Sequence, residues 1–104
     1  LFTEYFGISR KDAKTQREKI MRVGVQFTGS LAANQTARWF TFNWPQQWHV
    51  AWYVVPTSPK SGAPQIDWDV EVERATNDYI TYWVTIRNLT SEPVNIEARY
   101  AVLN

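Results

Sequence analysis

The chain has 104 residues, a formal net charge of +1, six tryptophans and no cysteine. This length suits one folding unit. The near-neutral balance argues against a polyanionic partner such as nucleic acid, and the lack of cysteine excludes disulfides, thiolate nucleophiles and zinc sites of the cysteine type.

The first 21 residues differ from the rest. Leu1, Phe2, Tyr5, Phe6 and Ile8 make an apolar tip without the basic lead and apolar run of a secretory leader. The chain also opens on Leu1 rather than Met, so a processed or excised piece of something longer is expected. Ser9 to Met21 contains no Gly, Pro, Val or aromatic residue, and Ser9 with Asp12 and Thr15 with Glu18 stand at capping spacings. Only Ala13, Ile20 and Met21 could touch a core. A short surface helix or arm over 1–21 is therefore predicted, its tip requiring cover from the domain or from a neighbour. Arg10, Lys11, Lys14, Arg17, Lys19 and Arg22 do not interleave with aromatics, so a solvated face accounts for them better than a nucleic-acid surface.

From residue 22 to 104 the period becomes two, as strands require. Val23, Val25 and Phe27 alternate with Gly24, Gln26 and Thr28, and Gly29-Ser30 reads as a turn. A strand follows over about 38–44 and meets Pro45, which cannot donate a ladder bond. The next strands read as 48–55, 66–74, 79–87 and 94–103, with the stretch PTSPKSGAPQ as one long exposed loop. About six short strands joined by turns predict an all-β fold, an antiparallel β-sandwich of jelly-roll-like type.

Alternation then sorts the aromatics. It assigns Phe40, Phe42 and Trp44 to the core and Trp39, Thr41 and Asn43 to the opposite face. Neither face of 48–55 is polar, which leaves Tyr53 facing away from Trp52 and Val54. In 79–87, Ile80, Tyr82, Val84 and Ile86 look inward and Trp83 outward with Thr81, Thr85 and Arg87. Trp39, Tyr53 and Trp83 are thus expected on exposed surface. Three things could cover them: the N-terminal arm, a second subunit, or a ligand whose apolar faces stack on the rings. Sugars present such faces, and Asn43, His49, Asp69 and Arg87 could bond their hydroxyls.

Catalytic chemistry finds little support. His49 stands alone between tryptophans, where a structural role is commoner than a general base, and no second His completes a zinc site or a triad. Asp67, Asp69, Glu71 and Glu73 fall on one strand face about 6–7 Å apart. That resembles the carboxylate gap of glycosidases. A solvated ladder pairing across the sheet with Arg87, Arg99 or Lys60 is the simpler account. Two sequons, at Asn34 and Asn88, sit in polar turns and decide nothing.

The pattern resembles small sandwich lectins and carbohydrate-binding modules at the level of architecture. The expectation is a non-enzymatic, lectin-like domain without cofactor or metal. It would bind a glycan or glycoprotein through Trp39, Asn43, His49, Tyr53, Asp69, Trp83 and Arg87, as a homo-oligomer that multiplies weak single-site affinity. The alternative is an assembly module whose aromatics form subunit contacts. A membrane-surface binder ranks third, since no inserting segment stands out. The compartment is left open, with secretion or the cell surface compatible.

Overall fold

The computed structural model describes residues 22–58 and 62–104. The helix or arm expected over 1–21 lies outside the described residues. Among the described residues there are six strands and no helix: β1 (Arg22–Leu31), β2 (Thr36–Pro45), β3 (Val50–Pro56), β4 (Ile66–Arg74), β5 (Tyr79–Asn88) and β6 (Val94–Val102). They form two three-stranded sheets, the first in the order β1-β6-β3 and the second β2-β5-β4, and each of the four ladders is antiparallel. The Gly29-Ser30 pair expected to turn is instead inside β1, and His49 precedes β3 rather than lying within it.

One apolar cluster draws on both sheets: Leu31, Trp52, Val54, Val94, Ile96, Ala98 and Val102 from the first, Trp44, Tyr82, Val84 and Ile86 from the second. Its centre is aromatic. Trp44 meets Trp52, Tyr82 and Tyr100 edge-on at centroid distances of 5.5, 6.1 and 5.3 Å, the arrangement that ring quadrupoles favour. Burial pushes the Tyr82 phenol up from its ordinary pKa, because a phenolate is poorly solvated there. The clustered tryptophans are therefore first a packing solution, in which a few large rings fill the gap between short strands.

Two irregularities set which side chains reach that centre. On β2, Thr41 pairs with Tyr82 and Trp44 with Ile80, so three steps on β2 match two on β5. The extra residue is a bulge. It is accommodated by Asn43 in the left-handed region at φ 64°, where Asn is tolerated far better than a branched residue. Alternation before the bulge turns Trp39 and Thr41 inward and Phe40 and Phe42 outward. The bulge then restores Trp44 to the inside, where its indole N–H donates to Thr41 Oγ1 at 2.9 Å. Asn43 is exposed as expected, whereas the expectation that Trp39 and Thr41 face solvent while Phe40 and Phe42 are core is thus reversed. It carried the parity of Trp44 back across an unseen extra residue. A similar register shift between Val25 and Phe27 turns Val23 and Val25 outward and Phe27 inward.

Trp39 bridges the sheets. Its ring stacks on Phe27 of β1 at 5.1 Å, over Gly29, where an added Cβ would come within 3.1 Å of the indole. Gly24 leaves similar room for the Tyr100 ring. Two glycines on the inner side of β1 thus admit two large rings.

At one end of the sheets Asn88, 1% exposed, closes the loops. Its Nδ2 donates to the carbonyls of Ala32 at 3.0 Å and Glu92 at 2.7 Å, its Oδ1 accepts from the Thr90 N–H at 2.9 Å, and its own N–H donates to the Gln35 carbonyl. The β1–β2 and β5–β6 connections are tied through one amide.

Substitutions at two positions check this account in denaturant unfolding. Asn88→Ala strands buried carbonyls and is expected to lose about 2–3 kcal/mol. Asn43→Gly is expected to be nearly neutral, while Asn43→Val, forced into the left-handed region, costs about 1–2 kcal/mol.

Candidate functional site

The two sheets leave two outer faces of different chemistry. On the second sheet, antiparallel registration sets Phe40 beside Trp83 and Trp83 beside Glu71, Arg38 beside Thr85 and Thr85 beside Asp69, and Thr36 beside Arg87 and Arg87 beside Asp67. Phe40 and Phe42 are 55% and 61% exposed. The Phe40 ring lies 5.1 Å from Trp83 and 5.9 Å from Phe42, so the three make a continuous aromatic ridge. Side chains two apart on a strand share a face, which is why Phe40 and Phe42 stand together.

Charged groups hold the ridge in place. The Arg38 guanidinium stacks over the Trp83 ring at 4.3 Å and donates to Glu71 Oε1 at 2.6 Å. The Trp83 indole N–H donates to Glu73 Oε1 at 2.7 Å. Further along, Arg87 makes a forked pair with Asp67, donating from Nε at 3.2 Å and from a terminal nitrogen at 2.5 Å; this bond and the carboxylate charge raise the guanidinium pKa further. Two acids of the β4 row thus pair across the sheet with arginines, Asp67 with the expected Arg87 and Glu71 with Arg38, while Arg99 pairs with Glu97 on the other sheet and Lys60 lies outside the described residues. Such exposed pairs contribute little to stability. Their effect is positional: Trp83 is clamped at its edge and its face, while the Phe40 and Phe42 rings remain presented.

On the first sheet the outer face is aliphatic at one end and polar at the other. Val23, Ala101 and Ala51 form one cross-strand row, Val25, Arg99 and Tyr53 the next, then Thr28, Glu97 and Val55. Arg99 donates to Glu97 at 3.2 Å, and Ser30 Oγ donates to Asn95 Oδ1 at 2.6 Å at the polar end. Val23, Val25, Tyr53, Val55 and Ala101, together with Arg99, line an open groove of about 530 Å³.

The seven residues expected to form one site are therefore dispersed. Asp69, Trp83 and Arg87 share the outer face of the second sheet. Tyr53 is on the outer face of the other sheet, in the groove. Trp39 is half-buried between the sheets, and Asn43 is the strained residue of the bulge. His49 lies in the turn before β3, where its backbone N–H donates to Asn104 Oδ1 and its carbonyl accepts from the Leu103 N–H. No single surface can use all seven. Phe40, Phe42, Arg38, Glu71 and Glu73 were not among the expected residues, yet they complete the ridge. The signal for the two phenylalanines was Arg38: a charged residue two positions from Phe40 marks that parity as outward.

Replacing single rings with alanine separates the two parities. Phe40→Ala is expected to cost about 1 kcal/mol, as for an exposed ring that loses its aromatic pairs with Phe42 and Trp83. Trp39→Ala is expected to cost about 3 kcal/mol by emptying the space against Phe27 and Gly29, read from urea midpoints at constant slope. No protein-family model, curated protein or solved structure matches the chain.

Proposed function

We propose that the chain is a non-enzymatic recognition domain, a jelly-roll-like β-sandwich that binds glycans on the outer face of the β2-β5-β4 sheet. The nested strand orders β1-β6-β3 and β2-β5-β4, with rings from both sheets interlocked between them, support the sandwich reading. The observation that carries the binding reading is the ridge of Phe40, Phe42 and Trp83, two of its rings more than half exposed, bordered by Arg38, Glu71 and Glu73.

Phe40 and Phe42 offer apolar rings for the C–H faces of a pyranose, and the carboxylates and the guanidinium beside them offer hydrogen bonds to its hydroxyls. Phenylalanine supplies no hydrogen bond itself, so selectivity falls to Arg38, Asp69, Glu71 and Glu73. The face is open, and binding of one or two sugar units is weak, on the order of millimolar, until several sites act together in a homo-oligomer or on a repeating glycan. Titrating isotopically labelled protein with a panel of oligosaccharides is expected to shift the amides of Phe40, Phe42, Trp83 and Thr85. Phe40→Ala with Phe42→Ala should then weaken binding by at least about tenfold. An unchanged spectrum across the panel at millimolar sugar refutes the proposal.

A second reading rests on the same ridge. An apolar centre rimmed by charge is also the anatomy of a protein interface. As a subunit contact, the ridge would give a concentration-dependent mass in sedimentation equilibrium that Phe42→Asp reduces to the monomer.

A further inference from the structure

The groove on the outer face of the first sheet is not used by the ridge, and we propose that it holds the apolar N-terminal tip of the same chain, Leu1 to Ile8. Four observations converge on this occupant.

Ala101 is only 4% exposed, yet it belongs to none of the inner packing, because it lies on the outward side of β6 between Val23 and Ala51. It is the floor of the groove. Around it Val23 and Val25 are 53% and 51% exposed and Tyr53 is 41% exposed, a concentration of aliphatic and aromatic surface that a sheet face ordinarily gives to polar side chains.

The face also has a direction. Its apolar row is Val23, Ala101 and Ala51, at the start of β1, followed by Val25 and Tyr53 on either side of Arg99, and its polar row, Ser30 with Asn95, is at the far end. The preceding chain joins β1 at Arg22, so it enters at the apolar end, beside the groove it would fill. Its first eight residues carry Leu1, Phe2, Tyr5, Phe6 and Ile8, apolar surface to match the groove's valines, Ala101 and Tyr53.

Reach is sufficient. The 14 steps from Ile8 to Arg22 span about 21 Å in a helix and up to about 46 Å extended. The face is three strands wide, about 10 Å between its outer strands. A short tether of this kind gives an effective concentration on the order of millimolar, about a thousandfold above a second copy at micromolar protein. That ratio favours the chain's own segment over a neighbour's. The charged stretch Arg10 to Lys19 would then pass outside the groove, where its basic side chains stay in water.

The natural chain has no cysteine, which makes engineered pairs clean reporters. Phe6→Cys combined with Val55→Cys, in the groove, is compared with Phe6→Cys combined with Phe42→Cys, on the opposite face, during oxidation at micromolar protein. The groove pair is expected to close at least about tenfold faster and to run as a monomer on a non-reducing gel. Equal rates overturn the proposal, and so does a disulfide-linked dimer, which would assign the groove to a second copy. The unsubstituted protein gives an independent reading. Proton contacts between the rings of Phe2 or Phe6 and the methyls of Val55 or Ala101 are expected, and their absence overturns the proposal even if the paired variants fail to fold. Neither result depends on glycan binding, because the ridge is on the other sheet.

Discussion

The packing of Trp44 rests on one surplus residue in β2. Without the left-handed turn of the backbone at Asn43, simple alternation from Thr41 would send Trp44 to the solvent side with Phe40 and Phe42. The ring contacts to Trp52 and Tyr100 that join the sheets, and the one to Tyr82 within its own sheet, would then be lost. The cost of an asparagine in that backbone region is modest, because its short polar side chain tolerates the conformation. The gain is one of the largest side chains at the centre of a small core. A domain of about 80 described residues has few buried positions, and filling them with rings reaches dense packing with the fewest strands.

The same backbone irregularity decides the surface. Because Trp44 returns inward after the bulge, Phe40 and Phe42 can both stay outside on consecutive same-face positions, and Trp83 of β5 extends them into a ridge. The ion pairs around it are exposed and add little to folding. What the ridge offers a partner is apolar area: burying one such ring is worth about 1.5–3 kcal/mol relative to leaving it in water. The opposite face is aliphatic at one end, with one arginine–carboxylate pair, Arg99 and Glu97, beside its valines and, among the described residues, no aromatic ridge. The domain thus carries two adhesive surfaces of unlike chemistry, which allows each to have its own occupant.

How much of this could be read from residues alone depends on whether the period of two was interrupted. In β5 the run from Ile80 to Arg87 has no bulge, and its alternation gives Tyr82, Val84 and Ile86 as core and Trp83 as outward without ambiguity. In β4 the acids at 67, 69, 71 and 73 mark the outward side directly. Strand number and approximate bounds follow from turn residues and were legible for the same local reason. In β2 the inference failed because Trp44, the largest residue, was taken as the anchor for parity, and the extra residue lay between it and Phe40. Arg38 at the other end of the strand was the better anchor, since an unpaired charge in a core is far more costly than an exposed ring. Cross-sheet relations such as Trp39 over Gly29 have no local signature at all. They arise only when the sheets come together, so a site assembled from single-strand parity grouped Trp39 and Tyr53 with Trp83 although three different environments hold them.

The amide of Asn88 heads an Asn-Leu-Thr triplet, the acceptor pattern for N-linked sugars, yet both of its heteroatoms are consumed in closing the loops. A saccharide attached to that nitrogen would replace a donor to Ala32 or Glu92 and need room where the side chain is sealed, so attachment there and native loop closure exclude one another. Asn34, in the other triplet, is exposed in the β1–β2 turn and anchored through its backbone N–H to Thr90. In a cell that decorates such triplets, the folded protein has one address for a sugar tree and uses the other as a bolt.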